Sequence, residues 1–275
     1  MKDLTDPPPR ALSCRMQGHP HYAATLAAMG LRTGRLDCGA LIVERRLGPL
    51  RLLWLPDPLT LPVHAPGPML ISARDAAQDA QLAGSGAIPL MTPQSRALLP
   101  VPADPDAQLA LQHQKWRNRL RHGQRAGLKV SHAPLPHDPG HWLLTREEAQ
   151  RRQKGYRGLP AAFALHWPET RLFTARHKGE VVAALLLLLH APGASYHIGW
   201  TGAEGRRLSA QALLLWQVSR YCAARGITRI DLGPVDTTRA PGLARFKLGA
   251  GAGVHDTGHS WLNSRFLAPL GRLIG

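Results

Sequence analysis

Arg245, Phe246 and Lys247 stand side by side in PGLARFKLGAG, residues 241–251, with glycines on both sides. A lysine ammonium is a compact charge on a flexible stem. It can stabilise the oxyanion of a tetrahedral intermediate or hold a phosphate. An arginine fork matches phosphate oxygens in two places. The flanking glycines permit a close approach of the backbone. The same residues also suit a surface helix, with Phe246 turned inward and both cations in water.

His197 and Trp200 lie in SYHIGWT, residues 195–201. Strict alternation puts Tyr196, Ile198 and Trp200 on one face of a strand, and Ser195, His197 and Gly199 on the other. The ordinary pKa of histidine suits deprotonation of an ammonium acceptor, although a histidine here also fits a core or hydrogen-bonded position. Asp231 and Asp236 flank LGPV at the end of the next apolar run; Asp236 is read as a turn cap as well as a candidate catalytic group. Arg206 and Arg207 precede a helix opening at Ser209, whose N-terminus attracts phosphate. The 14 histidines show no ligand spacing: His19 and His21 form a lone HxH, while HDPGH and HDTGH are turn sequences. No metal is expected, and no GxSxG or P-loop sequence occurs.

Elements of two kinds must position these groups. RLFTARH, EVVAALLLLLH and SYHIGWT read as three consecutive antiparallel strands, the middle one apolar on both faces and therefore central. A helix over SAQALLLWQVSRYCAARG follows, with Leu214, Val218, Tyr221 and Cys222 on one stripe and Gly226 at its end. A strand, TRIDLG, the short helix around GLARFKL and a last strand near GVHDTGHSWL complete the order βββ-α-β-α-β. Upstream, HWLLTREEAQRRQKGYRG reads as a helix with Thr145 as its cap. HPHYAATLAAMGL reads as a helix, CGALIVERRLGPLRLLWLP as a hairpin, ISARDAAQDAQLAGSG as a helix and AIPLM as a strand. Three prolines in RALLPVPADPD mark a boundary near residues 100–106.

DAQLALQHQKWRNRLRHGQRAGLKV is a basic amphipathic helix running to Gly123 or Gly127, with Leu109, Trp116 and Leu120 near one face. Lys115, Arg117, Arg121 and Arg125 lie on it, and no acidic residue occurs from Ala107 to His137. A solvated helix would mix signs, so a phosphate-facing role is a candidate. Across the 275 residues, 34 Lys+Arg against 18 Asp+Glu give a net charge of +16. That field favours a polyanionic partner, whether nucleic acid, nucleotide or anionic membrane, unless it reflects the composition of a GC-rich genome. Cys14, Cys38 and Cys222 make no CxxC pair, which implies a reducing compartment without structural disulfides. The opening MKDLTDPPPR has no hydrophobic signal core, and the longest apolar run, Val181–Leu189, is about half of a membrane span. The expectation is a cytoplasmic protein, with peripheral membrane contact left open.

This order resembles the GNAT acyltransferase fold, an α/β fold on one mixed sheet. The Asp-Leu-Gly, Asp, Gly-Leu-x-x-Phe-Lys series over residues 231–247 is most similar to the Fem-type branch, whose members carry two GNAT-like halves, the first degenerate. The resemblance implies an abbreviated half over 1–105, a linking helix over 106–134 and a complete GNAT domain over 135–275. It implies transfer of an acyl or aminoacyl group from a large phosphate-bearing donor, aminoacyl-tRNA or acyl-CoA, to a primary amine. That amine would belong to a small molecule, a peptide or a cell-envelope precursor, and no cofactor would be tightly bound. Lys247, His197 and Asp236 then become the catalytic candidates, and Trp200, Arg206, Arg207, Ser209, Arg245 and Phe246 the donor-binding ones. The alternatives are an acetyl-CoA-dependent N-acetyltransferase and a non-catalytic RNA-binding module on a GNAT scaffold. Two features depart from the family: there is no coiled-coil arm, and Ala210 stands where the phosphate-binding turn usually has glycine.

Overall fold

In the computed structural model, residues 15–48, 50–63, 67–155, 159–264 and 269 are described. The chain forms two compact units, one of Met1–Arg96 with His255–Gly275 and one of Ala97–Val254.

The first unit opens with α1 (Pro20–Ala28) and β1 (Thr33–Arg35), followed by the hairpin of β2 (Leu41–Leu47) and β3 (Leu50–Leu55). Gly48 turns that hairpin with a φ of 60°, in the left-handed region that glycine enters without steric cost. β4 (Met69–Ser72), α2 (Ala76–Gly84) and β5 (Ile88–Met91) come next. Ile71 and Ser72, expected at the head of a helix, belong to β4. The helix starts only after Asp75, whose carboxylate accepts from the Gln78 N–H at 3.0 Å as an N-cap. Leu55, Met69 and Ile71, with at most 1% of their surface exposed, centre the core.

The second unit is entered by β6 (Ser95–Pro100), so its sheet begins before the prolines that suggested a boundary. The helical stretch after it is two helices, α3 (Pro105–Ala110) and α4 (Gln114–Arg125). α4 is part of this unit's core rather than a linker: Trp116 and Leu120 are buried in one cluster with Leu185, Leu214 and Ile230. Then come β7 (Lys129–Ala133), α5 (Trp142–Lys154), α6 (Ala162–His166), β8 (Thr170–His177), β9 (Glu180–His190) and β10 (Gly193–Thr201). His141, not Thr145, caps α5, its Nδ1 accepting from the Leu143 N–H at 3.3 Å. α7 (Ala203–Arg207), α8 (Ala210–Ala223), β11 (Arg229–Pro234), α9 (Pro241–Gly249) and β12 (Gly253–Asp256) complete the unit.

The sheet order is β12-β6-β11-β10-β9-β8-β7. β7 to β10 form an antiparallel meander, and β10 pairs β11 in parallel. Ala183–Leu189 of β9 are at most 1% exposed. A strand needs a hydrophobic run of this kind only when both its faces are covered. Leu185, Leu187 and Leu189 share their cluster with α8; Leu186 and Leu188 point the other way.

The chain then returns to the first unit. The stretch expected as one last strand is two, and the second, β13 (Ser260–Asn263), inserts between β4 and β5 of the six-stranded sheet. Asp79 fixes it there, accepting from the His259 N–H at 2.9 Å, from His259 Nδ1 at 2.9 Å and from Trp261 Nε1 at 2.7 Å.

Candidate functional site

The pairing of β10 with β11 is confined to Gly193–Ser195 against Arg229–Asp231. β10 stays on β9 as far as Thr201. The two parallel strands therefore diverge beyond Ser195 and Asp231, and a cleft opens between them.

His197 sits where that divergence begins. The β9 register steps from Tyr196↔Leu187 to Ile198↔Leu186, leaving His197 as a bulge residue. The extra residue breaks the expected alternation. Tyr196 shares a face with Leu187, beneath α8, whereas Ile198 and Trp200 share the opposite face with Leu186 and Ala184. Gly199 confirms the arrangement, since a Cβ there would lie 1.6 Å from the Tyr196 hydroxyl. Only glycine leaves room for the tyrosine ring to lie along the strand.

A polar chain closes this end of the sheet. Thr201 Oγ1 donates to Gln211 Oε1 at 2.8 Å, and Gln211 Nε2 donates to the Tyr196 hydroxyl oxygen at 2.7 Å. Gln211 thus orients the phenol and leaves its proton to be donated elsewhere. Burial raises the Tyr196 pKa above its ordinary value, against the Gln211 hydrogen bond and with help from Glu147, so the phenol stays protonated. His197 is pushed the other way: burial lowers its pKa to about 4, and its buried Nε2 has no hydrogen-bond partner among the described residues. It is neutral at physiological pH and a weak base.

The N-terminus of α8 stands beside Gln211. Ser209, at φ 55° and ψ 31°, begins it without a side-chain cap, and no acidic residue lies in the first turn. The Ala212 and Leu213 N–H groups donate to the Ser209 carbonyl at 3.1 and 3.4 Å, so only those of Ala210 and Gln211 lack a partner within the helix. Ala210, which stands where the family's turn usually has glycine, is fully buried in the core cluster, so its methyl group fills core space. α7 packs so closely that a Cβ on Gly205 would lie 2.1 Å from the Val182 carbonyl oxygen. Arg206 Nη1 donates to the Thr201 carbonyl at 2.7 Å, and Arg207 makes a two-point pair with Glu204 at 2.8 and 2.6 Å. Both arginines therefore brace this corner before any donor arrives. On the other face of β10, Arg146 of α5 lies 4.8 Å above the Trp200 ring, and Trp142 meets Trp200 edge-on at 5.3 Å.

Lys247 is 6% exposed, and its Nζ donates to the Pro234 carbonyl at 2.7 Å, at the end of β11. Phe246 points away from that strand, its ring 6.1 Å from Trp116 of α4. Arg245 is exposed. Asp236 caps a turn, one oxygen accepting from the N–H groups of Thr238 at 3.0 Å and Arg239 at 2.6 Å. The structure thus brings Lys247 to the strand bordering the cleft, and gives Phe246 and Asp236 packing and capping contacts.

α4 meets the same helix end. A Cβ on Gly123 would lie 3.1 Å from the Ser209 carbonyl oxygen, and His122 Nε2 donates to the Arg207 carbonyl at 3.1 Å. Lys115, Arg121 and Arg125 are exposed. Arg117 is engaged locally, with Nη2 donating to Gln114 Oε1 at 2.6 Å. Among the described residues no group of three or more His, Cys, Asp or Glu side chains could hold a metal ion, and no helix is long and apolar enough to cross a membrane.

Tyr196, Gln211, Thr201, Trp142 and Arg146 were not singled out from the sequence. A signal existed for two of them: a glycine three residues after Tyr196, and a glutamine inside the apolar run AQALLLW.

A mixed sheet splayed between two parallel strands, with an uncapped helix N-terminus at the open end, defines an acyl-transferring enzyme of the GNAT class. Residues 112–248 match the family described as acetyltransferase (GNAT) domain. The chain belongs to that family of acyltransferases, and its two-unit fold is of the Fem type. The structure of FemX aligns over 94% of this chain and 96% of its own, with a TM-score of 0.69 at 12% identity. The C-terminal domain assigned to a lysylphosphatidylglycerol synthetase of Agrobacterium fabrum aligns over 96% of this chain and 91% of its own, at 0.59 and 13% identity. L-PGS from Bacillus licheniformis aligns over 92% and 91%, at 0.57 and 11%. A comparison with curated proteins returned no match.

Proposed function

We propose that this acyltransferase moves an acyl or aminoacyl group from a phosphate-rich donor to a primary amine, and that the donor is an aminoacyl-tRNA. The observation that carries the reading is the hydrogen-bonded chain Thr201–Gln211–Tyr196 at the point where β10 leaves β11. It supports a protonated phenol aimed at the acyl group, next to a helix end suited to phosphate.

The amine nitrogen attacks the donor carbonyl carbon, forming the C–N bond and an oxyanion. The Tyr196 O–H donates to that oxyanion, and Lys247, close to the end of β11, adds positive charge. Collapse of the intermediate breaks the ester C–O bond, and the leaving hydroxyl takes up the proton the amine gives off. No covalent enzyme intermediate is required, because alignment and charge stabilisation supply the rate. A tRNA donor is favoured by α4, whose exposed Lys115, Arg121 and Arg125 stand on the helix that braces the start of α8. Acyl-CoA is the second reading, favoured by the acetyltransferase description of the matching family.

Single-turnover transfer from aminoacyl-tRNA and from acetyl-CoA, to a panel of primary amines, separates the two donors. In Tyr196→Phe the rate should fall by about two to three orders of magnitude with an unchanged melting temperature, as for loss of one oxyanion donor. An unchanged rate would remove Tyr196 from the chemistry.

A further inference from the structure

A second cleft, of about 650 Å³, opens on the face of the second unit covered by α8. It is bordered by the end of α4, by β7 and β8, and by one side of α8 from Leu213 to Tyr221 with Ala224 and Arg225 beyond it; neither β10 nor β11 lines it. It is therefore separate from the splay.

Its charge is one-sided. The guanidinium of Arg225, in the lining, lies 3.6 Å from the centre of the Tyr221 ring; that of Arg171, which borders the cleft without lining it, lies 5.5 Å from the same ring. Neither has a hydrogen-bond or ion-pair partner among the described residues, and no acidic side chain lines the cleft. Two unpaired cations converging on one ring repel each other, and an anion between them would reverse that cost. Arg220, also at the rim, is occupied: it donates to the carbonyls of Ala103 at 2.8 Å and Pro102 at 2.7 Å.

Leu128, Val130, Leu213 and Ala224 give the cleft an aliphatic floor, and the remaining side chains are flat or hydrogen-bonding. His132 stands on the edge strand, exposed, with its ring 4.9 Å from both Phe173 and Tyr221. Burial, Arg171 and Arg225 lower its pKa, so it presents a neutral aromatic face. Gln124 and Gln217 bring two carboxamides to the walls, each able both to donate and to accept. The volume is that of an ordinary small-molecule site.

We propose that this cleft binds a nucleotide. The phosphate lies between Arg171 and Arg225, the base stacks on His132, and the two glutamines read the base edge. Arginine forks suit phosphate, and a base stacks on any flat aromatic or guanidinium face. The same chemistry is offered by a free mononucleotide and by an unpaired nucleotide of an RNA.

Calorimetric titration of the whole protein with AMP, adenosine, inorganic phosphate, benzoate and a single-stranded pentanucleotide RNA tests this. AMP should bind at least tenfold tighter than adenosine or phosphate. Arg171→Gln and Arg225→Gln should each weaken AMP by tenfold or more. His132→Ala, with its fold checked by thermal melting, should weaken AMP and leave phosphate unchanged. A pentanucleotide that binds tighter than AMP points to RNA as the source, and equal affinities point to a free nucleotide. Phosphate or benzoate binding as well as AMP, or variants that bind AMP like the parent, would overturn the proposal.

Discussion

At the scale of single residues, Lys247 can be separated into two roles. Its ammonium is buried and holds the Pro234 carbonyl, so it can support the end of β11, serve the reaction, or do both. Lys247→Met keeps the stem and removes the charge. If the ammonium stabilises developing negative charge, single-turnover rate should fall by about a hundredfold or more while the melting temperature holds. A lower melting temperature with an unchanged rate would make it a support for the strand alone. The opening stretch was legible because its residue types are unusual together: cations beside an aromatic, framed by glycines. The packing of Phe246 on Trp116 was not legible, since that partner comes 130 residues earlier, on a helix read as a linker. Tyr196 was hidden by the bulge at His197. One extra residue in a strand moves every later side chain to the other face, and composition gives no sign of it.

Among elements, α4 carries the sharpest expectation. Its buried face was readable from Trp116 and Leu120 at helical spacing, and both lie in the core. Its membership of the second unit was not readable, because long-range packing decides it. Lys115, Arg121 and Arg125 do not contribute to that packing, so reversing them should leave the fold intact. If tRNA lies along this face, the affinity of the parent should fall steeply with salt, and the triple Glu variant should flatten the slope by about three contacts. Filter binding across a salt series measures it. A slope unchanged by the substitutions would place the RNA elsewhere. The βββ-α-β order of β8 to β11 was legible almost residue by residue, since local turns and periodicity fix it. β6 and β13 were not, because their partners are distant in the chain and each is too short to declare itself.

For the whole molecule, the two most strongly shifted histidines contribute most to the response to acid. Burial lowers the pKa of His197 to about 4, and burial with His21 beside it lowers that of His19 to about 4. In the unfolded chain both titrate near 6.5. Below that pH the unfolded state binds more protons, so stability is complete at neutral pH and is lost as pH falls from about 6.5 towards 4. His19 also caps α1 through Nδ1, which protonation would block. Denaturation midpoints of His197→Gln, and of His19→Asn, which keeps a capping group, should change less over that interval than those of the parent. A parent midpoint that is flat from pH 7 to 4 would contradict this. The return of β13 bears on how the molecule is made. The second unit has all its residues once Val254 has been synthesised, whereas the six-stranded sheet lacks an interior strand until Asn263 emerges. Until then β4 and β5 each present an unpaired edge on the nascent chain, and such edges recruit foreign strands. The part of the protein translated first is therefore the last to be finished, and any ribosome that stops short of residue 260 leaves a folded second unit tethered to an open, adhesive sheet.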